Sequence, residues 1–173
     1  PIGMCPDCNG LGFHLQIDPD LVIPNKNLSI NQGAIDAYSG STKGSYYYEV
    51  IRAIAKHHKF SLDEPIKNAP KKMIDDIMKG TSYDLSFIFD SHFSGRKKYT
   101  GPFEGAIKNL YDRYERTNSA SQKQRFRDYM SEIECDTCHG DRLKPEILSI
   151  KVADKNISEL TSLSVEKLSL IHI

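Results

Sequence analysis

Four cysteines stand in this chain, and they occupy two short stretches, CPDCNGLGF at 5 to 13 and CDTCHG at 135 to 140. Each stretch reads Cys-x-x-Cys-x-Gly. Two residues between cysteines let both sulfurs face one point, and the following glycine tolerates the positive φ of a tight turn whose N–H groups point at the thiolates. One such turn supplies half of a tetrahedral zinc shell. Two supply four thiolates, a closed structural site with no open position for catalysis. The expected ligands are therefore Cys5, Cys8, Cys135 and Cys138, holding Zn2+. A thioredoxin-like redox pair needs only one Cys-x-x-Cys, so the duplication argues against it. Disulfides are disfavoured without a secretory signal. Two separate half-sites, each completed by a missing part of a longer protein, stay open. The histidines are not needed as ligands: His139 lies inside the second turn, where a fifth ligand is surplus, and His57 and His58 fall in a helical pattern as surface or packing residues.

If the two turns share one metal, everything between them is an insertion anchored at its base. The expected fold is α+β: a zinc-clamped four-cysteine module carrying an inserted mixed α/β domain. Residues 1–13 form the first half of the zinc module and 14–132 the insertion. Residues 133–173 form the second half and the return into a further domain. Within the insertion, residues 16–35 read as turns and short extended pieces, punctuated by Pro19, Pro24 and asparagines. Tyr46 to His58 reads as a helix on the spacing of Tyr47, Val50, Ile51, Ile54 and His58. Lys71 to Lys79 reads as another, with Pro70 in its first turn, an apolar face of Met73, Ile74, Ile77 and Met78, and Gly80 at its C-cap. Asp75 and Asp76 sit on its polar side as an ordinary solvated face. Residues 83–90 read as a strand, 94–97 as a turn, and the segment RKKYTGPF as its partner strand.

Phe103 to Arg116 shows the clearest helical pattern, with Phe103, Ala106, Ile107, Leu110, Tyr111 and Tyr114 on one face. A second helix is expected over 121–133, with Phe126, Tyr129, Met130 and Ile133 inward. Beyond the second cysteine turn, ILSIKV reads as a strand, ADKN as a turn and ISEL as a short extended piece. Ser164 suits the cap of a helix starting at Val165.

The formal charge is zero, but the distribution is uneven. Residues 95–127 carry 9 Lys and Arg against 3 Asp and Glu, while the segments on either side are acidic on balance. That is a local footprint suited to a polyanion, or else a solvated basic helix face. No run approaches the roughly 18–20 apolar residues of a membrane-spanning helix, and no signal peptide is recognisable. The start at PIGMC and the abrupt stop at LSLIHI suggest a piece of something larger. There is no phosphate-binding loop of the G-x-x-x-x-G-K-[ST] type, no HExxH, no GxSxG, no paired-carboxylate pattern, and so no catalytic constellation.

The segments PIGMCPDCNGLGF, LVIPN, GPFEGAIKNLYDRYERTNS and CDTCHGDRLKPEILSIKVADKNISELTSLSVEKL resemble the UvrA family of excision-repair ATPases. The resemblance spans essentially the whole chain and weakens only in LSLIHI. It implies the zinc module and insertion domain of the first signature domain in an ABC-type ATPase. The family's members work as dimers in the cytoplasm, sense distorted DNA and load UvrB at lesions under ATP control. The family's phosphate loop, ABC signature and UvrB-binding domain have no counterpart here. ATP and Mg2+ therefore belong to the longer parent, and this chain by itself is not expected to be an enzyme.

The resemblance also directs the positive segment towards double-stranded DNA. Candidate contacts are Arg96, Lys97, Lys98, Lys108, Arg113, Arg116, Lys123, Arg125 and Arg127, with Arg142 after the second turn reaching a phosphate or pairing with an acid. Such contacts bind phosphates without reading sequence, and duplex deformation becomes the signal. The competing reading is a regulatory or protein-interaction module of an ABC-type ATPase without direct DNA contact. A chaperone-type cysteine-rich domain fits poorly, because its repeats are four and closely spaced.

Overall fold

The computed structural model describes residues 2–91, 95–152 and 154–167. It is a mixed α/β chain that divides into two compact units. One comprises residues 1–16 and 132–173, the other 17–131.

The larger unit is built on three helices and a hairpin. Helix α2 (Tyr46–His57) buries Val50, Ile51, Ile54 and Ala55. It packs on α3 (Lys71–Lys79), which buries Met73, Ile77 and Met78. Helix α3 in turn meets α4 (Ala106–Arg116), whose Leu110 is fully enclosed. Burying each such side chain contributes about 1.5–3 kcal/mol, which outweighs the weak propensity of the β-branched positions in α2. The short helix α1 (Pro19–Val22) starts at Asp18, whose carboxylate accepts from the Asp20 N–H, and adds Val22 to this core. Pro70 precedes α3 as its N-cap rather than entering its first turn, and Gly80 ends it with φ +104°. A Cβ at Gly80 would meet the Phe103 carbonyl at 2.5 Å, and one at Gly105 would meet the Lys79 backbone at 2.5 Å. Only two glycines let the end of α3 and the entry to α4 pass backbone against backbone.

Asp76 is not on a solvated face, as its position in α3 suggests. It is 8% exposed. Its carboxylate takes a hydrogen bond from the Tyr83 hydroxyl at 2.9 Å and lies 2.8 Å from Nε2 of His58, while the His57 ring stacks on Tyr83 at 3.8 Å. Burial and then Asp76 hold the Tyr83 hydroxyl well above its ordinary pKa. Strand β2 (Leu85–Ser91) pairs antiparallel with β3 (Gly95–Gly101), Ile88 opposite Lys98 and Asp90 opposite Arg96. The turn expected at 94–97 begins outside the described residues, and Gly95 to Lys97 already lie in β3.

Two helix readings need correction. Helix α4 begins at Ala106, not Phe103, because Gly105 (φ +93°) breaks the entry; Phe103 is buried ahead of it. Tyr111 points outward, 45% exposed. Helix α5 (Ala120–Arg127) stops well short of 133. Residues Met130–Glu134 form β4, which pairs with β1 (Phe13–Ile17); within β4 Met130 is buried and Ile133 is 43% exposed. Phe126, Tyr129 and Met130 are buried as expected, and of that set only Ile133 is not.

The smaller unit holds the cysteine turns and short elements after them. The segment expected as a strand at 147–152 is instead helix α6 (Pro145–Leu148) followed by β5 (Lys151–Val152), which pairs with β6 (Lys155–Asn156). ISEL is helical, not extended: α7 (Ile157–Thr161) is opened by a capping box in which Asn156 accepts from the Glu159 N–H and Glu159 from the Asn156 N–H. Residues 165–167 are helical, and the Lys167 N–H reaches the Ser164 hydroxyl at 3.4 Å. The rest of that expected helix lies outside the described residues.

Candidate functional site

The two cysteine turns are copies in backbone conformation as well as in sequence. Asn9 and His139 have φ of +51° and +48°, Gly10 and Gly140 of +80° and +83°, and Gly12 has +85° where Arg142 has +68°. The Leu11 N–H donates to the Cys8 carbonyl and the Asp141 N–H to that of Cys138. The copies also exchange bonds: the Cys5 N–H donates to the Arg142 carbonyl and the Cys135 N–H to the Gly12 carbonyl.

This pairing brings the four sulfurs together. All four Sγ atoms lie within 4.8 Å of one another, and all four residues are buried. Cys5 and Cys135 sulfurs are 4.0 Å apart, and those of Cys8 and Cys138 3.6 Å. No cysteine is in a disulfide, whose sulfurs would be about 2.05 Å apart. A tetrahedral zinc with Zn–S near 2.3 Å has sulfur–sulfur edges of about 3.8 Å. The donor set thus fits, and the cluster could hold a metal such as zinc.

The surroundings favour thiolate in one corner. Burial opposes ionisation of Cys8, but the Gly12 N–H at 3.2 Å and the neighbouring thiols outweigh it and draw it down to about 6. Cys135 is pushed up to about 12, mainly by burial, a cost that a bound cation removes.

Three side chains next to the sulfurs escaped the sequence reading. The Asp7 carboxylate accepts from the Thr137 hydroxyl at 3.0 Å, contacts His14 Nε2 at 3.1 Å and the Cys135 sulfur at 3.4 Å. These contacts hold its pKa below the ordinary carboxylate value. An acid inside the first Cys-x-x-Cys was the only available signal. His139 is exposed, with Nδ1 3.7 Å from a Glu134 carboxylate oxygen, and takes no place in the cluster.

The cations of residues 95–127 are surface groups with different commitments. Lys108 pairs with Glu104 at 3.1 Å, one turn away, and Arg96 with Asp90 at 3.5 Å across the hairpin. Lys123 lies over the Tyr114 ring at 5.7 Å. Arg113 is tied down most: its guanidinium lies 4.8 Å from the Phe126 ring centre and 5.7 Å from that of Tyr47. Arg125 sits by the Tyr129 hydroxyl, where its charge offsets part of the upward shift that burial and Asp36 impose on that group. Lys97, Lys98, Arg116 and Arg127 are exposed, and no ion pair involves them among the described residues. Arg142, in the other unit, lays its side chain over Gly12. No helix among the described residues is long and apolar enough to cross a membrane.

The family model described as the UvrA DNA-binding domain matches residues 18–128. The chain is 41% identical over 170 residues to UvrABC system protein A of Bradyrhizobium diazoefficiens, covering 96% of this chain and 17% of that protein. It is 41% identical over 175 residues to its counterpart in Clostridium perfringens, covering 99% and 18%. Among solved structures, UvrA2 from Deinococcus radiodurans superposes with a TM-score of 0.65 at 26% identity, over 99% of this chain and 22% of that one. The chain therefore spans about a sixth of the length of the curated relatives it matches.

Proposed function

The chain belongs to the UvrA DNA-binding domain family, and from that premise we propose that it is the zinc-held, sequence-independent DNA-binding part of a nucleotide-excision-repair protein. The match of the family model to residues 18–128 carries the reading, because that span contains nine of the ten candidate cations. Residues 14–132 are the proposed inserted domain, with 1–13 and 133–173 as the two halves of the zinc module. The division of the chain into two compact units supports this arrangement.

Cys5, Cys8, Cys135 and Cys138 are the proposed zinc ligands, supported by their converging sulfurs. A zinc bound there supplies structure: four thiolates leave no open coordination position, so it activates no water. The Gly12 N–H stabilises negative charge on Cys8, and Asp7 links the two turns through Thr137.

Arg96, Lys97, Lys98, Lys108, Arg113, Arg116, Lys123, Arg125 and Arg127, with Arg142, are the proposed phosphate contacts. Lysine and arginine neutralise phosphates whatever the sequence. This suits a protein that detects helix distortion through the cost of deforming DNA. For the longer parent we propose ATP hydrolysis, dimerisation, UvrB loading at lesions and a cytoplasmic location.

Fluorescence anisotropy of the folded, zinc-loaded chain against a mixed-sequence duplex tests the reading at two salt concentrations. Weak binding that falls steeply with added salt is expected. Absence of binding at low salt, with metal and fold verified, overturns it in favour of a regulatory module.

A further inference from the structure

The β2–β3 hairpin has two unlike faces. Directly opposed residues of an antiparallel pair share a face, and alternate residues along a strand share one too. Phe87, Phe89, Lys97 and Tyr99 therefore lie on one side, and Ile88, Asp90, Arg96 and Lys98 on the other. The first side is anchored. The Tyr46 ring, at the start of α2, lies 5.7 Å from Phe87, 5.2 Å from Phe89 and 5.6 Å from Tyr99. A two-stranded ribbon is marginal alone in water, and this aromatic cluster gives it a rigid backing.

The second side is bare. Ile88 is 57% exposed, and Arg96 and Lys98 beside it are exposed. A lone exposed isoleucine is ordinary. Here it faces Lys98 directly across the ladder, with Arg96 two residues further along the same strand face. The two cations therefore stand about 7 Å apart along the strand. Asp90 contacts Arg96 at 3.5 Å, but both side chains are mostly solvated. A pair of that kind contributes little and exchanges readily.

We propose that this bare face is a docking surface for the backbone of duplex DNA, with Lys98 and Arg96 on phosphates and Ile88 against the groove edge between them. The proposal rests on the DNA-binding reading above and names the element that makes the contact. Charge selects the occupant: this face carries Arg96 and Lys98 against the single Asp90, while Lys97, opposite Phe89, belongs to the other face. Shape agrees, since a two-stranded ribbon is narrow enough for the major groove.

The test compares the wild-type zinc-loaded chain, Arg96→Gln/Lys98→Gln, Ile88→Ser, and a charge-matched control, Lys71→Gln/Lys72→Gln, on one duplex over a salt series. Exposed positions leave the fold intact, which circular dichroism checks. The hairpin double variant is expected to lose affinity several-fold and to reduce the slope of log K against log salt by about 2. Ile88→Ser is expected to weaken binding with the slope unchanged. Wild-type binding with the hairpin variants indistinguishable from the control overturns the docking surface and leaves the DNA-binding reading standing. No binding by the wild type overturns both.

Discussion

Gly12 and Arg142 occupy the same place in two copies of one turn. The carbonyl of each receives the N–H of the first cysteine of the other copy, at 3.0 and 2.9 Å, and both residues have positive φ. The exchange makes the copies depend on each other before any metal is considered. It also makes the two positions unequal, since only one is a glycine.

That inequality predicts an asymmetric response to substitution. A Cβ at Gly12 would meet the Gly140 carbonyl and the Arg142 side chain at 3.0 Å, on a backbone with φ +85°. Gly12→Ala should destabilise the zinc-loaded chain by about 1–3 kcal/mol. Arg142→Gly, which relieves a left-handed arginine at an entropic cost of similar size, should change stability by less than about 1 kcal/mol. Thermal melts of the two variants check this.

Metal analysis should find one zinc per chain and four thiols protected from a chromogenic reagent until a strong chelator is added. Cys138→Ser should remove the metal and expose the remaining thiols. Zinc-free chain with four freely reactive thiols would mean that each turn needs a partner from elsewhere.

Asp76 holds two part-buried groups at once, the Tyr83 hydroxyl and Nε2 of His58. Asp76→Ala removes the partner that both share, leaves them only their mutual contact at 3.5 Å, and should cost about 1–3 kcal/mol in urea unfolding. If the loss is below 0.5 kcal/mol in order of magnitude, water satisfies the site and the cluster is not structural.

Arg113 is predicted to act on stability as well as on DNA. Its stacking between Phe126 and Tyr47 is worth about 0.5–1 kcal/mol per ring when exposed. Arg113→Gln should therefore lower the melting temperature, whereas Arg116→Gln and Arg127→Gln should not, their side chains having no ring beneath them among the described residues. Equal melting temperatures in all three would show that the rings gain nothing from the guanidinium.

Tyr129 should make the chain sensitive to alkali. Burial, then its hydrogen bond to Asp36 at 2.8 Å, pushes its hydroxyl from the ordinary 10.0 up to about 12. The folded chain thus keeps a proton that the unfolded chain releases in that window. Its contribution is complete below pH 10 and is lost as pH rises towards about 12. Tyr129→Phe should flatten that part of the stability curve in denaturant titrations from pH 9 to 12.

The cysteine spacing and the glycines after it were enough, as sequence, to specify two matched turns, because the convergence of two sulfurs within one turn and positive φ depend on neighbours a few residues apart. Helices α2 and α3 were legible for the same reason: a 3.6-residue apolar period is local. What the chain alone did not disclose depends on partners distant in sequence. Residues 130–134 continue an apolar spacing compatible with helix, yet pairing with β1 makes them a strand. Asp76 reads as solvated until Tyr83 and His58 close over it. Arg113 reads as a free cation until two rings from other helices take its faces. Cys5 and Cys135 are 130 residues apart in sequence and 4.0 Å apart at their sulfurs. Only the reciprocal backbone bonds of the folded turns, which no local pattern encodes, bring all four sulfurs together.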